Sequence, residues 1–457
     1  MSGHSTDRRR PLRVAPAPEV LKAIRKEMKA KRITPADRRL PIVAAELVAE
    51  PVGKKGLNEG IFYPPVIDGR AGLAPLAAAR SRPTTGTARL LVLLVDFSDN
   101  PGSRPASDFA DMLFSQGTYA TGSMYDFYQE NSYGQLAIEG QVVGWLRLPQ
   151  PYSYYVNGEN GTGDYPHNAQ KMVEDALAIA AQQVDFSQFD ADGDGFLDGL
   201  FVVHAGGGAE ADPSATSRAK KIWSHQFNIT NPFASNGVTA YAYLTVPEDC
   251  KVGVCCHEFG HMLGLPDLYD TTYHSEGVGV WCVMGAGSWN NGGDTPGHFC
   301  AWSKVRLKWV KPTTVKSAKT AKAISLTPVE NAKKIYRLWK KGKGGSEYFL
   351  IENRQKVGFD KALVSSGLLA YHVNDLEHNN DHPGSYWVAV LQADGNQDLE
   401  NNANRGDAGD PYPGTARNKQ LGPGTTPDTN DHLGNATGVA ITGIAVKSGT
   451  VTCKVKV

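Results

Sequence analysis

The sequence predicts an α+β fold in which a mixed sheet with helices is followed by a β-rich C-terminal domain. Three observations predict it. Between Arg89 and about residue 311, buried-type apolar runs such as RLLVLLVDF and LFVVHA alternate with helical stretches such as PHNAQKMVEDALAIAAQQ. After Pro312 the pattern shortens to strand-length runs, among them KAISLTPV, EYFLIENRQ, GLLAYHV and VAITGIAVKSGTVTCKVKV. Residues 257–267, HEFGHMLGLPD, place two histidines at helical spacing and then break the helix at a glycine. The chain divides accordingly into a basic N-terminal arm (1–86), a central domain (87–311) and the β-rich domain (312–457).

Residues 17–32, APEVLKAIRKEMKAKR, space Leu21, Ile24 and Met28 as one face of an amphipathic helix. Residues 33–86 carry five prolines by Pro65 and an Ala-rich stretch, the character of an extended linker. RLLVLLVDF is a buried strand, and residues 108–134 are helical with aromatics. QLAIEGQVVGWLRL is expected as paired strands. Residues 166–183 form a helix with Met172, Ala176 and Ile179 on one face. LFVVHA (200–205) is a central strand, and VTAYAYLTV (238–246) alternates like an edge strand open to substrate by β-augmentation. Thr245-Val246-Pro247-Glu248 has capping-box form and is expected to start the next helix.

Charge narrows the function classes. The 457 residues carry 47 basic and 47 acidic side chains, so the neutral balance argues against a bulk nucleic-acid binder. The zero conceals an asymmetry: residues 1–55 carry a net charge of +8 and the remainder −8. The longest aliphatic run, Leu90–Val95, is far short of the roughly 20 residues of a membrane span. No apolar segment follows the basic start MSGHSTDRRRPLRV, so no ordinary signal peptide is visible.

The chemistry concentrates in HEFGHMLGLPD. Residues four apart on a helix lie about 40° apart, one turn along the axis, so His257 and His261 reach one ion. Glu258 sits beside that pair, placed to take a proton from a metal-bound water. Gly264 ends the helix, Pro266 prevents continuation, and the turn brings Asp267 back as third ligand. Zinc with three protein ligands keeps a position open for water, the arrangement of a catalytic site. Met284 follows in a compact GVGVWCVMGAGSW turn.

H-E-x-x-H-x-x-G-x-x-ligand plus a Met-turn resembles the metzincins, with two departures: Asp267 stands at the third ligand position, and Ala286 stands where some metzincins carry a tyrosine. The closer resemblance is to the immune-inhibitor-A-like peptidases. It rests on LLVLLVDFSD (90–99), ENSYGQL (130–136), DADGDGFLDGLFVVHAG (190–206), IWSH (222–225), HEFGHMLGLPDLYD (257–270), MGAGSWN (284–290) and EYFLIENRQ (347–355), spanning roughly residues 89–420. The resemblance implies a secreted zinc endopeptidase with a twisted mixed sheet and an active-site helix. It also implies Asp267 as ligand, Glu258 as general base, protein or peptide substrates and a prosegment. Met284 would form a hydrophobic floor under the zinc. Tyr269 and Tyr273 lie nearby, with the oxyanion helper unassigned.

Residues 190–198, DADGDGFLD, put Asp190, Asp192, Asp194 and Asp198 at positions 1, 3, 5 and 9 of a calcium-type loop, with Gly195 at position 6. Phe201 stands where a complete EF-hand has its glutamate. NRGDAGDP (404–411) with Asp394 and Asp398 is a second, weaker candidate. His204 and His225 read as core or cleft residues. Five of six cysteines (Cys250, Cys255, Cys256, Cys282 and Cys300) flank the zinc motif and Cys453 lies near the end. They read as disulfides bracing that region, against buried free thiols. A cysteine switch is excluded because no cysteine precedes Cys250, which leaves Asp68 as candidate latency ligand. The basic arm is expected to complement an acidic enzyme domain. The expected protein is a monomeric zinc endopeptidase. The alternatives are a calcium-dependent adhesion or carbohydrate-binding protein with a vestigial zinc site, and a zinc hydrolase acting on a non-peptide bond.

Overall fold

The computed structural model describes residues 11–31, 84–317 and 319–457; Asp68 lies outside them. The chain forms two compact units. One takes residues up to 119, 123–125 and 137–266; the other takes 120–122, 126–136 and 267–457.

Six strands build the sheet of the first unit: β1 (Leu12–Arg13), β2 (Gly86–Asp96), β3 (Leu136–Arg147), β4 (Gly199–His204), β5 (His225–Ser235) and β6 (Val238–Pro247). Their spatial order is β1-β5-β6-β4-β2-β3. β2, β4 and β6 run parallel, while β5 is antiparallel to both β6 and β1. Parallel strands are covered on both faces, so they need continuous apolar runs. Residues 90–96 of β2 and all of β4 are buried, as their sequences predict.

Helices follow in chain order: α1 (Pro18–Ala30), α2 (Ala106–Phe114), α3 (Met124–Ser132), α4 (Tyr152–Val156), α5 (Ala169–Ala180), α6 (Ala215–Arg218), α7 (Val252–Met262) and α8 (Ala301–Arg306). The Asn168 carboxamide caps α5 by accepting from the Lys171 N–H. Met172, Val173, Ala176 and Leu177 of α5 then join Leu91, Leu93, Leu200 and Val202 in the core, while Ile179, expected on the same face, is only partly buried against it.

Three local expectations fail. QLAIEGQVVGWLRL is one long strand, β3. VTAYAYLTV is β6, an interior strand between β5 and β4, so it offers no open edge for β-augmentation. Its small alanines, its tyrosines and Thr245 are buried on both faces, which an alternation count cannot distinguish from a half-exposed edge. Thr245 belongs to β6, where its hydroxyl donates to the Val202 carbonyl, and α7 begins seven residues later without a side-chain cap.

The N-terminal residues are part of the first unit. β1 pairs with β5 through Leu12 opposite Gln226 and Arg13 opposite His225. The Trp223 indole N–H donates to the Val14 carbonyl (2.9 Å), and the Ala17 N–H donates to the Glu210 carbonyl (2.9 Å). α1 buries Val20, Leu21, Ile24 and Met28, the expected face, and both carboxylate oxygens of its Glu27 accept from Arg218 Nη2 at 2.8 and 2.9 Å.

Glu210, which anchors that segment, gives a pH test. Burial pushes its carboxyl up to about 7 although Ser224 donates both its N–H and its hydroxyl to it. Its folded pKa lies above the unfolded one, so between about 4.5 and 7 the native state holds the extra proton and stability falls as pH rises. The buried charge costs on the order of 3 kcal/mol once pH exceeds that window. Glu210→Gln should raise the melting temperature at pH 8 and leave it nearly unchanged at pH 4.5. Equal shifts at both pH values would count against a charge penalty.

The second unit is β-rich. β7 (Thr313–Thr314), β9 (Tyr336–Leu338), β10 (Glu347–Arg354), β11 (Gly367–Asn374) and β12 (Val388–Val390) form a sheet ordered β12-β11-β10-β9-β7. β8 (Lys322–Leu326), β13 (Gln420–Leu421), β14 (Ala440–Lys447) and β15 (Thr450–Lys456) form another, ordered β13-β14-β15-β8. At the end of β10 the buried Arg354 guanidinium makes a two-bond fork with Asp360 at 2.6 and 2.7 Å.

All six cysteines are free and buried. The Cys250 and Cys255 sulfurs lie 3.7 Å apart, beyond the roughly 2.05 Å of a bond. The Cys300 N–H donates to the Cys282 sulfur, and Cys453 lies in β15 opposite Ile324. The expected disulfides are therefore corrected to buried thiols, which pack as small apolar side chains.

Candidate metal centre

α7 carries the motif. β6 leads into it through Glu248, whose carboxylate accepts from the Ser103 N–H (2.7 Å), the Ser103 hydroxyl (2.6 Å), the Arg104 N–H (2.6 Å) and the Gly206 N–H (3.1 Å). Burial acts to raise its pKa, but these bonds win and hold it below the usual value. Every residue of α7 is buried, and Phe259 packs against Phe201 at 6.2 Å between ring centroids. A helix buried on all sides is held by packing, which fixes the direction of its polar side chains.

His257 and His261 face each other with Nε2 atoms 3.0 Å apart. Two nitrogens on one tetrahedral zinc at about 2.0–2.1 Å lie about 3.4 Å apart, so the pair is spaced for a shared ion. His261 Nδ1 lies 2.8 Å from the Leu265 carbonyl. That acceptor fixes Nδ1 as the protonated nitrogen and leaves Nε2 its lone pair, the usual second partner of a metal-binding histidine.

The carbonyl is delivered by the helix end. Gly264 has φ +97°, the Gly264 N–H donates to the His261 carbonyl and the Leu265 N–H donates to the Gly260 carbonyl. This is the left-handed glycine stop that the sequence called for. Asp267 follows three residues later. One ligand atom from each of His257, His261 and Asp267 lies within 4.8 Å of the others, and all three side chains are buried. The boundary between the units falls at Pro266–Asp267, inside this continuous segment, so the ligand spacing is a local property of residues 257–267. Glu258 is fully buried between the two histidines in sequence.

The segment after Asp267 is tied to the Met-turn. The Leu268 N–H donates to the Met284 carbonyl (2.8 Å), and the Leu268 carbonyl accepts from the Val278 N–H and the Asn380 amide, both 2.9 Å away. Met284 is fully buried. Asp270 and Asp381 are further buried acids in this unit. Burial first, then the charges of Asp270 and Asp267, pushes Asp381 up to about 7. A cluster of carboxylates of this kind favours a bound cation. Tyr269 and Tyr273 are buried with stacked rings 6.4 Å apart.

One neighbour of the site has no sequence signature. The Arg13 carbonyl oxygen of β1 lies 3.2 Å from His257 Nε2. Pairing with β5 puts it there; a two-residue strand in a basic segment carries no pattern that reveals it.

The acidic loop is assembled in part. Asp190, Asp192 and Asp194 each bring a carboxylate oxygen within 4.8 Å of the others. Asp198 instead accepts from the Arg89 and Ala191 N–H groups. The three clustered carboxylates accept backbone N–H groups of Asp194, Gly195 and Phe196. His204 and His225 are core residues. His204 stacks on Tyr152, and burial lowers its pKa to about 4; His225 bridges the Trp223 carbonyl and the Tyr243 hydroxyl, and burial lowers its pKa to about 3.

The family profile described as the immune inhibitor A peptidase M6 catalytic domain matches residues 78–311. Pre-pro-metalloprotease PrtV of Vibrio cholerae serotype O1 is 32% identical over 314 residues, covering 56% of this chain and 33% of that protein. Immune inhibitor A of Bacillus thuringiensis subsp. alesti is 32% identical over 324 residues, covering 57% of this chain and 47% of that protein. The chain thus covers less than half the length of these curated relatives.

Proposed function

The chain belongs to the immune inhibitor A peptidase M6 family, and on that premise we propose that it is a zinc-dependent endopeptidase hydrolysing peptide bonds of proteins. The observation that carries this reading is the buried donor set of His257, His261 and Asp267, with His261 Nδ1 held by the Leu265 carbonyl so that Nε2 faces His257 Nε2. Two imidazoles and a carboxylate suit zinc, and bound zinc would supply Lewis acidity toward the scissile carbonyl. The chain's own residues do the rest. The Glu258 carboxylate takes the proton of the attacking water and passes it to the leaving amine nitrogen. The buried α7 carries that carboxylate next to His257 in sequence, and the Met284 carbonyl holds the Leu268 N–H, one residue past Asp267.

The zymogen reading also gains support. β1 occupies the edge of β5, the place where an extended peptide substrate adds to a sheet, and presents a main-chain carbonyl to His257. We read residues 1–86 as a prosegment whose Arg13 backbone blocks the ligand position left open for chemistry. Secretion and a monomeric state complete the proposal. Among the described residues no helix is long and apolar enough to cross a membrane. A structural calcium at Asp190, Asp192 and Asp194 belongs to the same proposal.

Metal analysis and a protease assay test the core of it together. Purified protein with the prosegment removed should hold one zinc per chain, cleave casein, and lose both zinc and activity in a chelator. Readdition of zinc should restore both. Zinc without cleavage of casein or any member of a peptide library would favour a vestigial site or a non-peptide bond.

A further inference from the structure

We propose a further metal site, for calcium, formed by Asp394, Asp398 and Asp407 beside the buried Asp410, independent of the zinc reading. Each of the first three brings one carboxylate oxygen within 4.8 Å of the others. Oxygens around one calcium at 2.3–2.6 Å lie at most about 5 Å apart, so the set is of the right size.

The sequence supplies two loops. The first, Asp394-Gly395-Asn396-Gln397-Asp398, alternates oxygen donors at every second residue, and Asp394 accepts from both the N–H and the amide of Asn396 (3.0 and 3.1 Å). The second runs from Asn404 to Asp410. Its Asn404 amide bonds Asp398 (3.3 Å) and Asp407 (2.7 Å), which joins the loops. Gly409 lets them close: a Cβ there would collide with the Asp394 carboxylate and lie 3.0 Å from Asp407 Oδ1.

The independent observation is Asp410. Its side chain is fully buried, yet Oδ1 has no hydrogen-bond partner. Oδ2 is used, by the Trp281 indole N–H (2.7 Å) and the Asp407 N–H (3.1 Å). Asp410 is thus tied by its Oδ2 to the backbone of Asp407, one of the three clustered residues, while its Oδ1 is left without a donor. A buried acceptor without a donor costs about 1–3 kcal/mol or more if charged. A hard divalent cation held by the three clustered carboxylates removes their mutual repulsion and supplies positive charge beside the buried Asp410.

The site has a mechanical consequence. The Asn404–Asp410 loop packs on the turn before Met284: the Val280 N–H donates to the Arg405 carbonyl (2.8 Å), and Trp281 is bonded to Asp410. Calcium here therefore stiffens the Met-turn, three residues from Met284.

Trp281 also provides the probe. Terbium(III), a calcium surrogate, bound in this cluster should be sensitised by the adjacent indole in the full-length protein, and calcium should displace it. Asp398→Asn/Asp407→Asn should weaken terbium binding at least tenfold and abolish the calcium-induced rise in melting temperature. Asp190→Asn/Asp192→Asn/Asp194→Asn should leave the sensitised signal in place. An unchanged terbium midpoint in the first variant, or loss of the signal in the second, overturns the proposal. Circular dichroism checks that the double variant folds. If it does not, Asp398→Asn alone, at a partly exposed position, must still weaken terbium tenfold, and an unchanged midpoint there overturns the proposal equally.

Discussion

Glu258→Ala should retain one zinc per chain and lose about 10²- to 10⁴-fold in kcat, the range a positioned general base contributes. The reason lies in what the substitution spares. The donor set is His257, His261 and Asp267, and Glu258 is not among the three groups brought to one point. α7 is a buried helix in which alanine is the best-tolerated residue, so the imidazoles keep their orientation. The Leu265 carbonyl continues to hold His261 Nδ1. Glu258→Gln, nearly isosteric, should lose turnover as well, which separates the proton role from packing. His261→Ala should instead lose zinc and turnover together. Near-wild-type kcat in a zinc-loaded Glu258→Gln protein would remove Glu258 from the mechanism and reopen the choice of base.

The elements that were legible in the sequence share a physical property: their signals are local. The α7 stop at Gly264 is a backbone requirement of one residue, visible as glycine and realised at φ +97°. α1 and α5 follow from the spacing of Leu21 and Ile24 and of Met172 and Ala176. The strand order was not legible, because pairing partners are chosen over long separations. β6 looks like an edge strand from its own residues and becomes interior only because β5 folds back beside it. The expected disulfides failed for a related reason: cysteines clustered in sequence end with their sulfurs at van der Waals distance or farther. Charge arithmetic was the weakest guide. A basic arm on an acidic domain suggests Lys and Arg reaching outward from the arm. Yet the ion pair joining α1 to the domain runs the other way, from the buried Arg218 to Glu27.

That attachment sets the second large effect. Leu21→Asp/Ile24→Asp in the full chain should raise the rate of peptide hydrolysis at least tenfold. Leu21 and Ile24 are 4% and 3% exposed, and burying each contributes about 1.5–3 kcal/mol. Two buried aspartates without partners would reverse that gain, so α1 leaves its seat. β1 cannot remain without it: among the described residues only Leu12 and Arg13 pair with β5, and a two-residue strand has too few bonds to stay docked alone. The Arg13 carbonyl then moves away from His257 Nε2 and the β5 edge becomes available to a substrate strand. A shift of a few kcal/mol in the docking equilibrium is enough to turn a mostly closed population into a mostly open one. Two readouts separate this from general destabilisation. The thermal transition of the remaining domain should persist, and the arm alone should become sensitive to limited proteolysis. A variant whose arm is released in this way but whose rate stays at the full-chain level would show that β1 does not govern access to the site.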